Sequence, residues 1–262
     1  MSRIAEKFQA LNKEERKALI PYITAGDPDL ATTQSLIIKM AECGADIIEL
    51  GVPFSDPMAD GPVIQRATER ALTKGTKLID ILDLVRQVRK VSQVPIVLFS
   101  YFNPLLQFGL EKLAKQASEV GIDGILVTDL SLEEAGEFLN ILHKHKLDMI
   151  FLLAPTSNDE RIAKVAKCAS GFIYAVSRTG ITGMQQRLSD TVEPLVARIR
   201  KFSNLPIAVG FGISTQEQVK EIFRQADGAV VGSRIVAEIE ACTDQTKLVD
   251  TIGNLIKELS SH

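Results

Sequence analysis

The sequence predicts a single-domain (β/α)8 barrel of the TIM type with one extra N-terminal helix, and three observations predict it. Short runs rich in Val, Ile and Leu recur eight times, each followed by a longer run with helical spacing. These short runs show little polar alternation, as expected for strands of a parallel sheet buried on both faces. At 262 residues the chain has a size common among α/β barrels. The competing arrangement is an open, doubly wound sheet. No GxGxxG follows the first strand, which weakens the dinucleotide-binding version of that alternative.

The elements follow in order. The opening segment MSRIAEKFQALNKEERKALI mixes charged and apolar residues at helical spacing, so a helix is expected over about 3–12. The first strand is read at 19–24, closed by the turn sequence AGDPD, with a helix at 32–43. The second strand is 46–50. The stretch 51–62 holds two Gly and three Pro and is read as a loop. Helices follow at 63–73 and 78–91, then a strand at 95–99, a helix at 111–119 and a strand at 124–127. A helix at 132–145, a strand at 148–153, a helix at 159–168 and a strand at 172–176 come next. The chain ends with a helix at 190–202, a strand at 206–209, a helix at 215–223, a strand at 228–231 and helices at 233–240 and 246–259. No linker or low-complexity segment interrupts this pattern, so residues 1–262 are assigned to one domain.

Composition narrows the function classes. Apolar content is 45%, charged content 24% and net charge −3, with a pI near 5.7. No basic surface for nucleic acid and no basic amphipathic stretch for membrane is signalled. The apolar runs have strand length, far short of a membrane span. The N-terminus lacks the apolar core of a signal peptide. Cys43, Cys168 and Cys242 are odd in number and far apart, which suits reduced thiols in the cytoplasm, packed as small apolar groups. His143, His145 and His262 form no metal-ligand spacing, so no metal site is expected.

Barrel enzymes place chemistry at the C-terminal ends of their strands. The segment IELGVPFSDPMADGPVI sits at such an end and carries Glu49, Asp56 and Asp60. Glu49 closes an apolar strand, where a glutamate needs a partner or a task. Asp56 and Asp60 also fit plain turn or capping roles. Glu49 and Asp60, two carboxyls in different surroundings eleven positions apart, nevertheless suggest an acid/base pair with separated tasks. Gly180, Gly183, Gly210, Gly212 and Gly232 cluster after the sixth, seventh and eighth strands. Glycine permits close backbone approach to an anion, and Gly232-Ser233 stands directly before a helical pattern. Each glycine alone could be a turn residue, and Ser233 an ordinary N-cap. Three such loops in succession favour a phosphate cradle, with Arg178 or Arg234 as possible helpers. The polar loop SRTGITGMQQRLSD after the sixth strand fits a lid, in which Thr182 could hydrogen-bond a reacting carboxylate.

The segments YITAGDPD, IELGVPFSDPMADGPVIQ, YFNP, GIDGILVTDL, YAVSRTGITG, GFGIS and ADGAVVGSRIV resemble those of tryptophan synthase α subunits, over essentially the whole chain. The resemblance implies a carbon–carbon lyase that cleaves indole-3-glycerol phosphate to indole and glyceraldehyde 3-phosphate. It implies Glu49 as the acid/base at indole C3 and Asp60 as the carboxylate facing the indole N–H. It further implies Tyr22, Tyr174 and Phe211 around the indole, Gly183, Gly212, Gly232 and Ser233 around the phosphate, and Thr182 on the lid. No cofactor is implied in this chain. The implied partner is a pyridoxal-phosphate β subunit in an α2β2 complex, which receives indole and condenses it with serine to tryptophan, with Asp56 and Pro57 on the loop facing it. Ser131 departs from the family pattern, which usually has Pro there. Tyr22 and Phe99 stand where Phe and Leu are common. Rival readings are another phosphate-binding barrel lyase or isomerase and a silent activating subunit. An indole-glycerol-phosphate synthase would need a lysine at a strand end, whereas Lys39, Lys112 and Lys164 fall in helical stretches.

Overall fold

A computed structural model describes residues 2–176, 188–210 and 212–261. Its strands are β1 (Ala18–Thr24), β2 (Ile48–Gly51), β3 (Ile96–Ser100), β4 (Gly124–Val127), β5 (Asp148–Leu153), β6 (Ile173–Val176), β7 (Ile207–Gly210) and β8 (Gly228–Val231). They form a closed barrel in chain order, all pairs parallel, with Ala18 of β1 opposite Gly228 of β8. The eight strand–helix alternations read from sequence are therefore the barrel itself.

The helices are α1 (Arg3–Lys13), α2 (Leu30–Glu42), α3 (Pro62–Thr73), α4 (Leu78–Val88), α5 (Phe102–Phe108), α6 (Leu110–Val120), α7 (Gly136–Lys144), α8 (Asp159–Cys168), α9 (Leu188–Arg200), α10 (Gln216–Phe223), α11 (Ser233–Ala241) and α12 (Gln245–Ser260). Among them, α5 was not expected. Its Pro104 lies in the first turn, where the missing N–H breaks no helical hydrogen bond. Helix α7 begins at Gly136 rather than 132, because 132–134 form a turn, next to which Ser131 Oγ donates to Glu134 at 2.6 Å.

Two apolar layers hold the barrel. The larger lies between strands and helices and includes Leu36, Ile48, Leu98 and Ile125. The smaller fills the barrel interior with Ile20, Val97, Leu126 and Ile150. The extra helix α1 closes the N-terminal end of that interior with Ile4, Phe8 and Leu11, and the Phe8 ring lies 5.9 Å from Phe172. Polar ties hold α1 in place: Ser2 Oγ donates to Asp148 at 2.5 Å and Arg3 pairs with Asp123 at 2.7 Å.

Strand β2 pairs over Ile48–Gly51, two residues later at its start than the apolar run suggested. Asp46 is instead a clamp, its carboxylate accepting the Leu19 N–H of β1 at 3.1 Å. Asp123 accepts the Ile96 N–H of β3 at 2.8 Å, and Asp227 the Ile207 N–H of β7 at 2.9 Å. Each acid thus satisfies an N–H at or next to the start of a neighbouring strand. Of the cysteines expected to be packed as small apolar groups, Cys43 is buried, while Cys242 is half-buried and Cys168 exposed.

Candidate active site

Register sets the site. Tyr22 of β1 stands opposite Glu49 of β2, and Glu49 opposite Val97 of β3. Residues alternate in and out along each strand, so Tyr22, Glu49 and Phe99 share a wall of the interior. The Tyr22 and Phe99 rings meet edge to face at 5.2 Å. Tyr22 reaches over Gly51, and a Cβ there would collide with its hydroxyl. Tyr174 of β6 does the same over Gly210 of β7. These two glycines admit the phenols by lacking a side chain.

Glu49 is 1% exposed and its Oε1 has no hydrogen-bond partner. Burial alone pushes its carboxyl up to about 8. Asp60 closes the loop after β2, beside the barrel mouth. Burial raises its carboxyl to about 6, opposed by a hydrogen bond from the Tyr101 hydroxyl at 3.1 Å. The two carboxyls thus differ in protonation at neutral pH, and the cause in each case is the surroundings. The phenols of Tyr22, Tyr101 and Tyr174 are all raised, first by burial and then by these carboxylates.

Tyr101 is the residue that sequence reasoning missed. Its hydroxyl also accepts the Ala59 N–H at 2.9 Å, and its ring lies 5.3 Å from Phe54. One phenol therefore holds both the Asp60 carboxyl and the backbone of the residue before it. The sequence signals were an aromatic directly after the third strand and its place at the head of the YFNP segment. Gln65 adds a second tether, its Nε2 donating to the Asp60 carbonyl at 2.9 Å. Asp56, by contrast, is exposed and takes its own neighbour's hydroxyl, Ser55 Oγ, at 2.6 Å.

Where the sequence predicts a phosphate cradle, Gly232 is the N-cap of α11, with no side-chain cap, and Ser233 is its first helical residue rather than the cap. The first N–H groups of such a helix lack intrahelical acceptors and favour an anion. Gly212 has φ +80, in the left-handed region that favours glycine. Thr182, Gly183 and Phe211, together with Arg178 and Gly180, lie outside the described residues. Among the described residues no cluster of His, Cys, Asp or Glu could hold a metal ion, and no helix is long and apolar enough to cross a membrane.

Comparison with known proteins places the chain in a family. The family model for the tryptophan synthase alpha chain matches residues 8–261. A tryptophan synthase alpha chain of Geobacter sulfurreducens is 56% identical, with 97% of this chain and 100% of that protein covered. One of Solibacter usitatus is 49% identical over 99% of this chain and 97% of its own length. Among solved structures, the tryptophan synthase subunit alpha of Legionella pneumophila superposes with TM-score 0.89 at 39% identity, covering 99% of this chain and 97% of that one. A tryptophan synthase structure from Mycobacterium tuberculosis gives TM-score 0.89 at 35% identity, covering 100% and 99%. On the barrel, the match over nearly its whole length and these identities, the chain belongs to the tryptophan synthase alpha chain family.

Proposed function

We propose that Glu49 and Asp60 are the catalytic pair of this lyase, which cleaves indole-3-glycerol phosphate to indole and glyceraldehyde 3-phosphate. The observation that carries the assignment is the split between the two carboxyls. Glu49, at about 8, keeps its proton at neutral pH, while Asp60, at about 6, has lost it. The reaction needs that division. Glu49 gives its proton to indole C3, and Asp60 stabilises the positive charge that develops at the ring nitrogen. Glu49, now a carboxylate, takes the proton from the adjacent glycerol hydroxyl. The oxygen forms a carbonyl, the C–C bond breaks, and its electron pair returns to the ring as neutral indole.

Tyr22 and Tyr174 supply the walls against the indole ring. Gly212, Gly232 and Ser233 hold the phosphate through backbone N–H groups, with Gly183 and Phe211 completing the site and Thr182 closing on Asp60 from the lid. The partner is a β subunit in an α2β2 complex, whose pyridoxal phosphate belongs to that subunit, and the reaction runs in the cytoplasm. Asp56 and Pro57 face the partner. Two features support that face: Met58 is 93% exposed beside them, and a groove of about 230 Å3 between Phe102, Leu106, Leu130 and Glu134 lies on the same rim. An apolar side chain so exposed on a loop that carries a catalytic acid gains by being covered.

The deciding experiment is indole release from indole-3-glycerol phosphate by wild type, Glu49→Gln and Asp60→Asn, with and without a β subunit. Each substitution is expected to cost about 10²–10⁴-fold. Near-wild-type single-turnover rates in either variant would overturn that residue's assignment. For the partner face, Asp56→Ala is expected to weaken activation by the β subunit more than basal cleavage. Identical activation curves would remove the loop from that role.

A further inference from the structure

We propose that Glu240, near the end of α11, is a positioning residue for the cleavage: it fixes the helix following Asp60 to the helix whose N-terminus faces the phosphate. The inference rests on the reading of Asp60 and of the α11 cradle given above. Two arginines of α3 converge on the Glu240 carboxylate. Arg66 Nε and Nη2 donate to its two oxygens at 2.8 and 2.7 Å, and Arg70 Nη1 donates to Oε1 at 2.7 Å. Arg70 also grips Asp27, with Nε and Nη2 each 2.8 Å from a carboxylate oxygen. Asp27 is 2% exposed, in the turn after β1. The chain Asp27–Arg70–Glu240–Arg66 therefore joins three elements of the barrel mouth.

Helix α3 packs on the barrel interior through Val63 and Ile64, and the Glu240 contacts add a polar anchor on its exposed side. Its buried residues are the small Ala67, Thr68 and Ala71, and its N-cap Gly61 makes no side-chain cap. Small side chains resist sliding less than interlocked large ones. Yet α3 directly sets Asp60, because Gln65, the neighbour of Arg66, holds the Asp60 carbonyl. The path from phosphate to Asp60 is short: Ser233 begins α11, Glu240 holds Arg66, and Gln65 holds Asp60. The substrate must span both ends, its phosphate on α11 and its ring nitrogen at Asp60. A misplacement of about 1 Å between them can cost on the order of 10²-fold in rate. A surface ion pair made only for stability would contribute little. Convergence of two guanidiniums on one carboxylate, one of them bidentate, instead specifies a distance and an angle.

The test uses the full-length chain with Glu240→Gln, which keeps side-chain size and removes the charge. Expected are a melting temperature within a few degrees of wild type, and affinities for inorganic phosphate and for indole alone within about twofold, since each half-site stays intact. The single-turnover rate on indole-3-glycerol phosphate is expected to fall about tenfold or more. In an Asp60→Asn background the same substitution is expected to cost less than about twofold, because Asp60 is what it positions. Arg66→Gln, which leaves Arg70 bound to both Asp27 and Glu240, should reproduce the loss even if Glu240→Gln folds poorly. An unchanged rate in both variants, an undiminished loss in the Asp60→Asn background, or a rate loss matched by lost phosphate binding would overturn the proposal. Failure of the underlying reading shows separately, as near-wild-type cleavage by Asp60→Asn alone.

Discussion

Replacing Glu49 by glutamine tests burial and proton chemistry in a single variant. The carboxyl is raised from 4.5 to about 8 by burial. In the folded chain it therefore holds its proton over a pH range in which the unfolded chain has released it. The native state keeps the full benefit below about pH 4.5 and loses it progressively as pH rises to about 8. A shift of about 3.5 units corresponds to on the order of 4–5 kcal/mol, with a slope of at most about 1.4 kcal/mol per pH unit. Glutamine has no such proton, so its stability relative to wild type should climb by that amount across the window and level off above it. Glu49 Oε1 has no partner, so an amide placed there leaves a donor or acceptor unsatisfied. That costs about 1–3 kcal/mol at every pH and shifts the comparison without tilting it. Urea unfolding of both proteins from about pH 5 to about pH 9 reads the difference. The transition out of the native state is the one to follow, because chains of this length commonly unfold through intermediates. Stability curves that run parallel to within about 1 kcal/mol would refute a buried, neutral Glu49. The same variant should have lost cleavage at every pH.

Three further outcomes are expected. Tyr101→Phe removes the hydroxyl that holds the Asp60 carboxyl down, so the acidic limb of kcat/KM should move to higher pH than about 6, and an unmoved limb would remove Tyr101 from this role. Gly212→Val forces a branched side chain onto φ +80 and should raise KM for indole-3-glycerol phosphate while changing affinity for free indole far less. Unchanged affinity of that variant for glycerol phosphate, by calorimetry, would contradict the phosphate assignment. Asp123→Ala strips Arg89 and the Ile96 N–H of their buried acceptor and should destabilise the barrel by about 3–5 kcal/mol, with turnover per folded molecule retained. A loss below about 1 kcal/mol in denaturant unfolding would show that the clamp is replaceable.

Some of the site was legible because local chemistry is restrictive. A glutamate in an apolar strand has few innocent explanations, and Glu49 is indeed buried with one oxygen unpartnered. Asp60 was set apart from Asp56 by its spacing from Glu49 and by the family resemblance, although both occupy a loop that favours Asp for turn reasons. The difference between them is made by Tyr101, contributed by a residue far along the chain. Asp46 read as part of its strand because an apolar run surrounds it, whereas its carboxylate caps β1. The short helix α5 was not read from the sequence, and Pro104 sits in its first turn, where it breaks no helical hydrogen bond.

The sequence by itself determined the barrel, because strand and helix periodicities are local and eight alternations leave few parallel closures. It also determined which residue types crowd the C-terminal ends of the strands. Only the tertiary structure decided that Tyr22 and Tyr174 share the interior with Glu49, that Tyr101 holds Asp60, and that Glu240 joins α3 to α11. Those relations depend on register and on contacts between distant segments. A carboxyl's protonation state likewise follows from how much water the assembled barrel removes around it, a quantity that no single segment carries.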